Sequence, residues 1–222
     1  MEILGINIYW LGHACFKVEG RVTVYIDPFQ IKFPKEKDGD IVLITHDHFD
    51  HCSIDDIKKI IHPQTVIIAA KMCKGKIDNL KGSVNTIMYF EPGDSINVND
   101  VIIKAVPSYN VNKFRSPGQV FHPKDSKYLG FIIDINGVKV YHAGDTDLIQ
   151  EMCEFGRIDV AILPVSGVYV MTVEEAVEAV KILKPKFAIP MHYGSIVGSE
   201  KDAEKFKSLA SQFTRVEILK KE

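Results

Sequence analysis

The chain has 222 residues, 46% of them hydrophobic and 25% charged, with a formal net charge of −2. That length is enough to bury a substantial core, and the composition is that of an ordinary soluble globular chain, read as one domain over 1–222. The near-neutral charge gives no global attraction to nucleic acid or acidic membranes, and no apolar run approaches the ~20 residues that span a bilayer. The first third reads as short strands: Ile3 to Leu11, then Cys15 to Val18 and Val22 to Ile26, the last two joined by a tight turn at Glu19-Gly20. Asp27-Pro28 ends the third strand, and a polar loop with proline and lysine runs to Gly39. The β-branched run Ile41-Val42-Leu43-Ile44 is a buried strand, and it runs directly into Thr45-His46-Asp47-His48-Phe49-Asp50-His51.

Residues two apart in an extended segment point the same way, so His46 and His48 converge on one point. Asp50 and His51, after a short turn, face a second point close by. Imidazole and carboxylate are the ligands that Zn²⁺ and neighbouring transition ions take. A helix follows, with Ser53 as its cap, Asp56 three residues on, and Pro63 as its stop. Strand Val66–Ala69, a lysine-rich helical turn around Lys71–Leu80, and strands Val84–Phe90, Ser95–Val98 and Val101–Val106 come next. Residues 107–127 contain three prolines and no apolar periodicity, which reads as a long loop of functional or mobile type. Tyr128–Ile135 and Val138–His142 form a hairpin across Asn136-Gly137. Then a helix over Leu148–Phe155, a strand over Ile158–Pro164, a helix over Val173–Leu183 with a Thr172/Glu175 capping box, a strand over Lys186–Pro190, a helix over Lys201–Phe213 and a last strand over Arg215–Leu219 complete the chain. Strands first and αβ alternation later predict an α/β fold with helices outside two sheets. No internal repeat is evident.

The pattern His46-x-His48-x-Asp50-His51 after a buried strand resembles the signature of the metallo-β-lactamase-fold hydrolases. The resemblance implies a four-layer αββα sandwich of the metallo-β-lactamase type, with a binuclear metal site at the sheet edge and further ligands in loops after later strands. Asp145, in Ala143-Gly144-Asp145 after strand Val138–His142, matches the bridging carboxylate. His192, after the final buried strand, matches the last histidine. The third histidine of the first metal is expected past Pro107, where Pro107-Ser108-Tyr109-Asn110 has asparagine instead. Either Asn110 or water fills that position, or His122 swings in from the long loop; His122 is the preferred reading. His13, in Leu11-Gly12-His13, resembles a family Gly-His that supports a ligand carboxylate from behind. His62 and His142 read as structural.

The implied cofactors are two divalent metal ions, Zn²⁺ first, with Mn²⁺ or Fe as alternatives. Hydroxide held by the metals is expected to attack an anionic ester, a phosphodiester or a phosphorylated lactone, with Asp50 orienting it and carrying its proton and Tyr193 donating a hydrogen bond to the substrate. Pro164-Val165-Ser166-Gly167, Met171-Thr172 and His192-Tyr193-Gly194 resemble the branch of ascorbate-6-phosphate lactonase and phosphodiesterase-like members. Lys113, Arg115, Lys124 and Lys127 on the long loop, against Asp125 alone, add attraction for a small anionic substrate. An iron redox or dioxygenase-type member, marked by a glutamate where His48 stands, and a non-catalytic regulatory module are the alternative readings. No export signal precedes Cys15, Cys52, Cys73 and Cys153, so reduced thiols, a cytoplasmic location and no membrane or specific nucleic-acid partner are expected. Association into a homo-oligomer is left open.

Overall fold

The strands of this chain are of two kinds, and their burial separates them. Ile41–Ile44, Val66–Ala70 and Val160–Pro164 are buried at every position, the mark of parallel strands covered on both faces. Val101–Ser108 alternates buried and exposed over its first half, with Ile102 48% exposed, as an antiparallel strand with one face in solvent does. The computed structural model describes residues 1–32 and 37–222. The polar loop expected up to Gly39 therefore lies partly outside the described residues.

The first sheet has seven strands in chain order: β1 (Glu2–Ile3), β2 (Ile6–Gly12), β3 (Cys15–Glu19), β4 (Thr23–Ile26), β5 (Ile41–Ile44), β6 (Val66–Ala70) and β7 (Thr86–Phe90). It is antiparallel from β1 to β4 and parallel from β4 to β7. The remaining strands are β8 (Ser95–Val98), β9 (Val101–Ser108), β10 (Phe114–Ser116), β11 (Gln119–Val120), β12 (Tyr128–Ile135), β13 (Val138–His142), β14 (Val160–Pro164), β15 (Phe187–Met191) and β16 (Arg215–Val216). All but β10 and β11 form a second seven-stranded sheet, ordered β16-β15-β14-β13-β12-β9-β8. It too is antiparallel from β8 to β13 and parallel from β13 to β16. The two halves thus share a topology that the sequence does not display as a repeat.

Helices α1 (Ile54–Ile60) and α2 (Lys74–Ile77) follow strands of the first sheet; α3 (Val173–Leu183) and α4 (Glu200–Ala210) pack on the second. This is the expected αββα arrangement. Ser53 caps α1 by accepting from Asp56 N, and the Thr172/Glu175 capping box on α3 is complete. Each fully buried isoleucine of the inner faces contributes roughly 1.5–3 kcal/mol of transfer free energy.

Three expectations are corrected. The run Ile3–Leu11 is two strands, because Leu4 and Gly5 turn with φ of 54° and 84°. The segment Leu148–Phe155 is a single 3₁₀ stretch, Gln150–Glu154, instead of an α-helix. Part of 107–127 is a hairpin, β10 against β11. Its strands are mostly exposed, with Phe114 at 53%, so no core-facing periodicity exists to be read.

Candidate metal centre

The C-terminal ends of the parallel strands in both sheets meet at one edge, where open α/β sheets offer a crevice to ligands. β4 delivers Asp27, β5 delivers His46, β13 delivers Asp145 and β15 delivers His192. Hydrogen bonds tie the sheets together there: Leu129 N donates to Thr45 O (3.0 Å) and His192 N to His13 O (3.0 Å). His142 Nε2 donates to Ala14 O at 2.9 Å, beside the same edge. His13, Asp27 and His192 have left-handed backbones, φ 53°, 46° and 61°, at a cost of about 1–2 kcal/mol each. Gly144, φ 63°, is required: a Cβ there would lie 2.5 Å from Leu129 O. It lets the β13 turn bring Asp145 down between the sheets.

Second partners fix which nitrogen each imidazole presents. Thr45 Oγ1 donates to Asp27 Oδ2 (2.6 Å), so it accepts from His46 Nδ1 at 2.9 Å, and Nε2 of His46 turns inward, where it accepts from His48 Nδ1 at 3.0 Å. His51 Nδ1 donates to Asp27 Oδ2 at 2.7 Å, which turns Nε2 inward. Asn110 Nδ2 donates to Asp147 Oδ1 and Tyr169 O, so its Oδ1 is the acceptor that holds His122 N and His122 Nδ1, both at 2.9 Å. Ser166 Oγ lies 3.2 Å from His192 Nδ1. Each of these rings is thus oriented by its outer nitrogen with its inner one turned toward the others, the usual support for a ligating histidine.

The inner atoms gather into two groups, His46–His48–His122–Asp145 and His13–Asp50–His51–His192, within each of which the candidate donor atoms lie within 4.8 Å of one another. Asp145 joins them. Its Oδ2 is 3.5 Å from His122 Nε2, 3.9 Å from His46 Nε2 and 3.2 Å from His192 Nε2, while Oδ1 is 3.4 Å from His51 Nε2. Among the described residues, His51 Nε2, His192 Nε2 and Asp145 Oδ1 are buried with no hydrogen-bond partner. Leaving three such atoms unpaired costs about 1–3 kcal/mol apiece, and a pair of cations would satisfy them all. The donor set, imidazole nitrogen with carboxylate, suits zinc and its neighbours.

Burial pushes His46 well below the ordinary histidine range, and His122 down to about 4. His48 is also lowered by burial. His51 goes the other way: burial would lower it, but the Asp145 and Asp27 carboxylates outweigh that and hold it well above. Burial would raise Asp145, yet the imidazoles of His192 and His51 keep it well below the carboxylate range. Burial likewise opposes the ionised form of Asp50, and the 3.0 Å bond from His13 Nε2 overcomes it. The carboxylates are ionised and His46, His48 and His122 are neutral at neutral pH, the states in which they bind a cation.

The sequence profile of the beta-lactamase superfamily domain matches residues 7–192. The chain belongs to this superfamily. Over 220 residues it is 37% identical to a protein of Thermoplasma acidophilum named a metal-dependent hydrolase, covering 92% of this chain and 91% of the relative. A protein of Pyrococcus abyssi with the same designation is 34% identical over 233 residues, covering 97% and 96%. A crystal structure of a protein of Parabacteroides distasonis, described as a metal-dependent hydrolase, superposes with a TM-score of 0.80 at 30% identity over 97% of this chain and 94% of that one.

Within this superfamily fold, the structure brings His46, His48, His122 and Asp145 into one group, and Asp50, His51 and His192, with His13, into the other. Asn110 is in the site but behind it, as the acceptor that aims His122. Tyr193 directly follows His192; its ring is 2% exposed and stacked on Trp10 at 4.8 Å, and burial raises its phenol to about 12. Sequence reading missed four participants. From sequence, Asp27 reads only as a strand end, Thr45 only as the start of the histidine-rich stretch, and Ser166 only as part of the Pro164–Gly167 motif. Tyr128 was assigned only to a strand, but its ring lies 4.8 Å from that of His46. The aspartate before Pro28, directly after a buried strand, was the visible signal.

Proposed function

We propose that the protein is a metal-dependent hydrolase acting on a small anionic ester, a phosphodiester or a phosphorylated lactone. One observation carries it: two convergent donor groups share Asp145, with inward-facing buried atoms that no protein group satisfies. His46, His48 and His122 would hold one cation, and Asp50, His51 and His192 the other, with Asp145 between. When bound, such ions supply Lewis acidity, making water acidic near neutral pH and stabilising charge that develops on oxygen. The names of the relatives, at 34–37% identity over most of their length, support the reaction type.

The chain's own residues do the rest. Asp50, held by His13 Nε2 at 3.0 Å, is fixed where it can orient a water and accept its proton. Asp27 and Asn110 hold His51 and His122 against rotation. Two divalent cations would outweigh the charges of Asp27, Asp50 and Asp145 by about one unit in a semi-enclosed site, which favours an anion. Oxidative chemistry of the kind that needs a carboxylate in place of His48 gains no support from the first group. Tyr193, packed against Trp10, serves the loop that carries His192.

The test is metal analysis of the purified protein with metal-reconstituted turnover of bis-p-nitrophenyl phosphate and a simple lactone. About two ions per chain, and hydrolysis abolished by a chelator, are expected. One ion or fewer with no turnover would overturn the binuclear hydrolytic reading.

A further inference from the structure

The segment that delivers His122 also forms an open cavity of about 440 Å³, lined by Arg115, Gln119, Phe121, Ser126 and Tyr128 among others. Tyr128 is the wall it shares with the metal centre, its ring centroid 4.8 Å from His46, 5.5 Å from His122 and 5.7 Å from His48. The frame is hydrogen-bonded: Phe121 N donates to Lys113 O at 3.0 Å and Asn110 N to His122 O at 2.8 Å. A bound molecule whose reacting group lies among the histidines has this cavity beside it for its other end.

Charge decides what that end is. Of the four bases on the segment, Lys113 is buried and bonded to Asp147 (3.2 Å) and Glu175 (2.7 Å). Lys124 is held by Glu151 at 2.7 Å and Lys127 by Glu91 at 2.8 Å. Arg115 alone has no carboxylate partner among the described residues, and no Asp or Glu lines the cavity. Its guanidinium lies 5.7 Å above the Phe121 ring, with Nη2 donating to Phe121 O at 3.3 Å, so it is oriented while most of its donors remain free. A planar guanidinium fork matches carboxylate and phosphate, and the Phe121 and Tyr128 faces offer apolar surface to whatever carries that anion.

We propose that this cavity is the specificity pocket for the non-reacting end of the substrate, and that Arg115 binds a second oxyanion there, a carboxylate or a phosphate on a short apolar spacer. The substrate is then an ester with two anionic ends. This rests on the hydrolytic reading above, and the experiment separates the two. Three p-nitrophenyl phosphodiesters are compared on the metal-loaded protein, their second substituent ending in a carboxylate, a phosphonate or an uncharged methyl ester. Turnover gives KM, and calorimetric titration of the same three gives affinity whether or not they turn over. The charged tails are expected to bind about tenfold or more tighter than the methyl ester. In R115Q the tight-to-weak ratio falls to near one, and R115K, a point charge without the fork, falls between. The stronger of the two tails identifies the anion. Equal binding of all three by the unsubstituted protein, or a ratio that survives R115Q with the fold and metal content intact, overturns the pocket while leaving hydrolysis standing. Absence of turnover with a tail preference that R115Q removes overturns phosphodiester hydrolysis as the reaction and keeps the anion pocket.

Discussion

Strands β13 to β15 carry a buried aspartate at each end, and the two are opposites. At the N-terminal end Asp159 is satisfied: it accepts from Arg157 Nη2 (2.8 Å), Lys139 N (3.1 Å) and Lys186 Nζ (3.1 Å). At the C-terminal end Asp145 is surrounded by imidazole nitrogens, with its Oδ1 buried and unpartnered. Burial alone does not distinguish them, since both are nearly inaccessible. Satisfaction does. A buried carboxylate whose partners are complete is part of the frame; one that faces other unsatisfied donors is waiting for a cation.

Exchanging each for asparagine breaks this comparison most directly. Asp145→Asn should lower turnover by about 10³-fold or more, with loss of bound metal, because it removes the anion common to both groups. Its metal-free form should unfold at a lower urea concentration near neutral pH, since the attraction to His192 and His51 that holds this carboxyl below its ordinary range is lost. Retained metal with only slightly reduced turnover would show that Asp145 is frame after all.

Asp27 sharpens the contrast, because it is satisfied and yet serves the site. It accepts from Thr45 N, Thr45 Oγ1 and His51 Nδ1. Asp27→Asn is expected to weaken metal binding about 10–100-fold, measured against a chromophoric chelator, by releasing His51 and through Thr45 also His46. An effect on folding alone, with unchanged affinity in the folded protein, would return Asp27 to the frame.

Asn110→Ala should be smaller and one-sided. Asn110 orients only His122, so one of the two ions should bind about tenfold more weakly while the other keeps its affinity. Equal weakening of both ions would contradict the division into two groups.

The same contrast explains what could be read from the sequence. His46, His48, Asp50 and His51 were legible because a strand and a two-residue period fix where they point. Asp145 and His192 were legible because they follow strands at the same edge. His122 competed with Asn110 on paper because its arrival depends on a hairpin with no buried face. The answer was that both are used, one as donor to the site and one as its holder. Asp27 was visible only as an aspartate directly after a buried strand, and nothing local separates that from the composition of any turn. The basic loop misled: Lys113 finds Glu175 62 residues away, a pairing no local pattern contains. Local periodicity therefore recovers groups that a strand aims, while partners supplied across the sheets appear only in the fold.

Asp159→Asn is the control and the smallest effect. Burial pushes the Asp159 carboxyl up, but Arg157, Lys139 N–H and Lys186 outweigh it and hold the group below its ordinary value. A carboxyl lowered in the folded state contributes stability that is present above its unfolded value, about 3.9, and is lost as pH falls through the folded value. Urea unfolding of the metal-free protein should therefore show the substitution costing about 1 kcal/mol at pH 7, and less as pH falls below about 4. Turnover and metal content should be unchanged, because Asp159 and its partners sit at the far ends of β13, β14 and β15 from the donor groups. If the stability difference stays constant from pH 7 down to pH 3, its partners hold Asp159 by shape and not by charge, and the two ends of the strands differ less than their hydrogen bonds indicate.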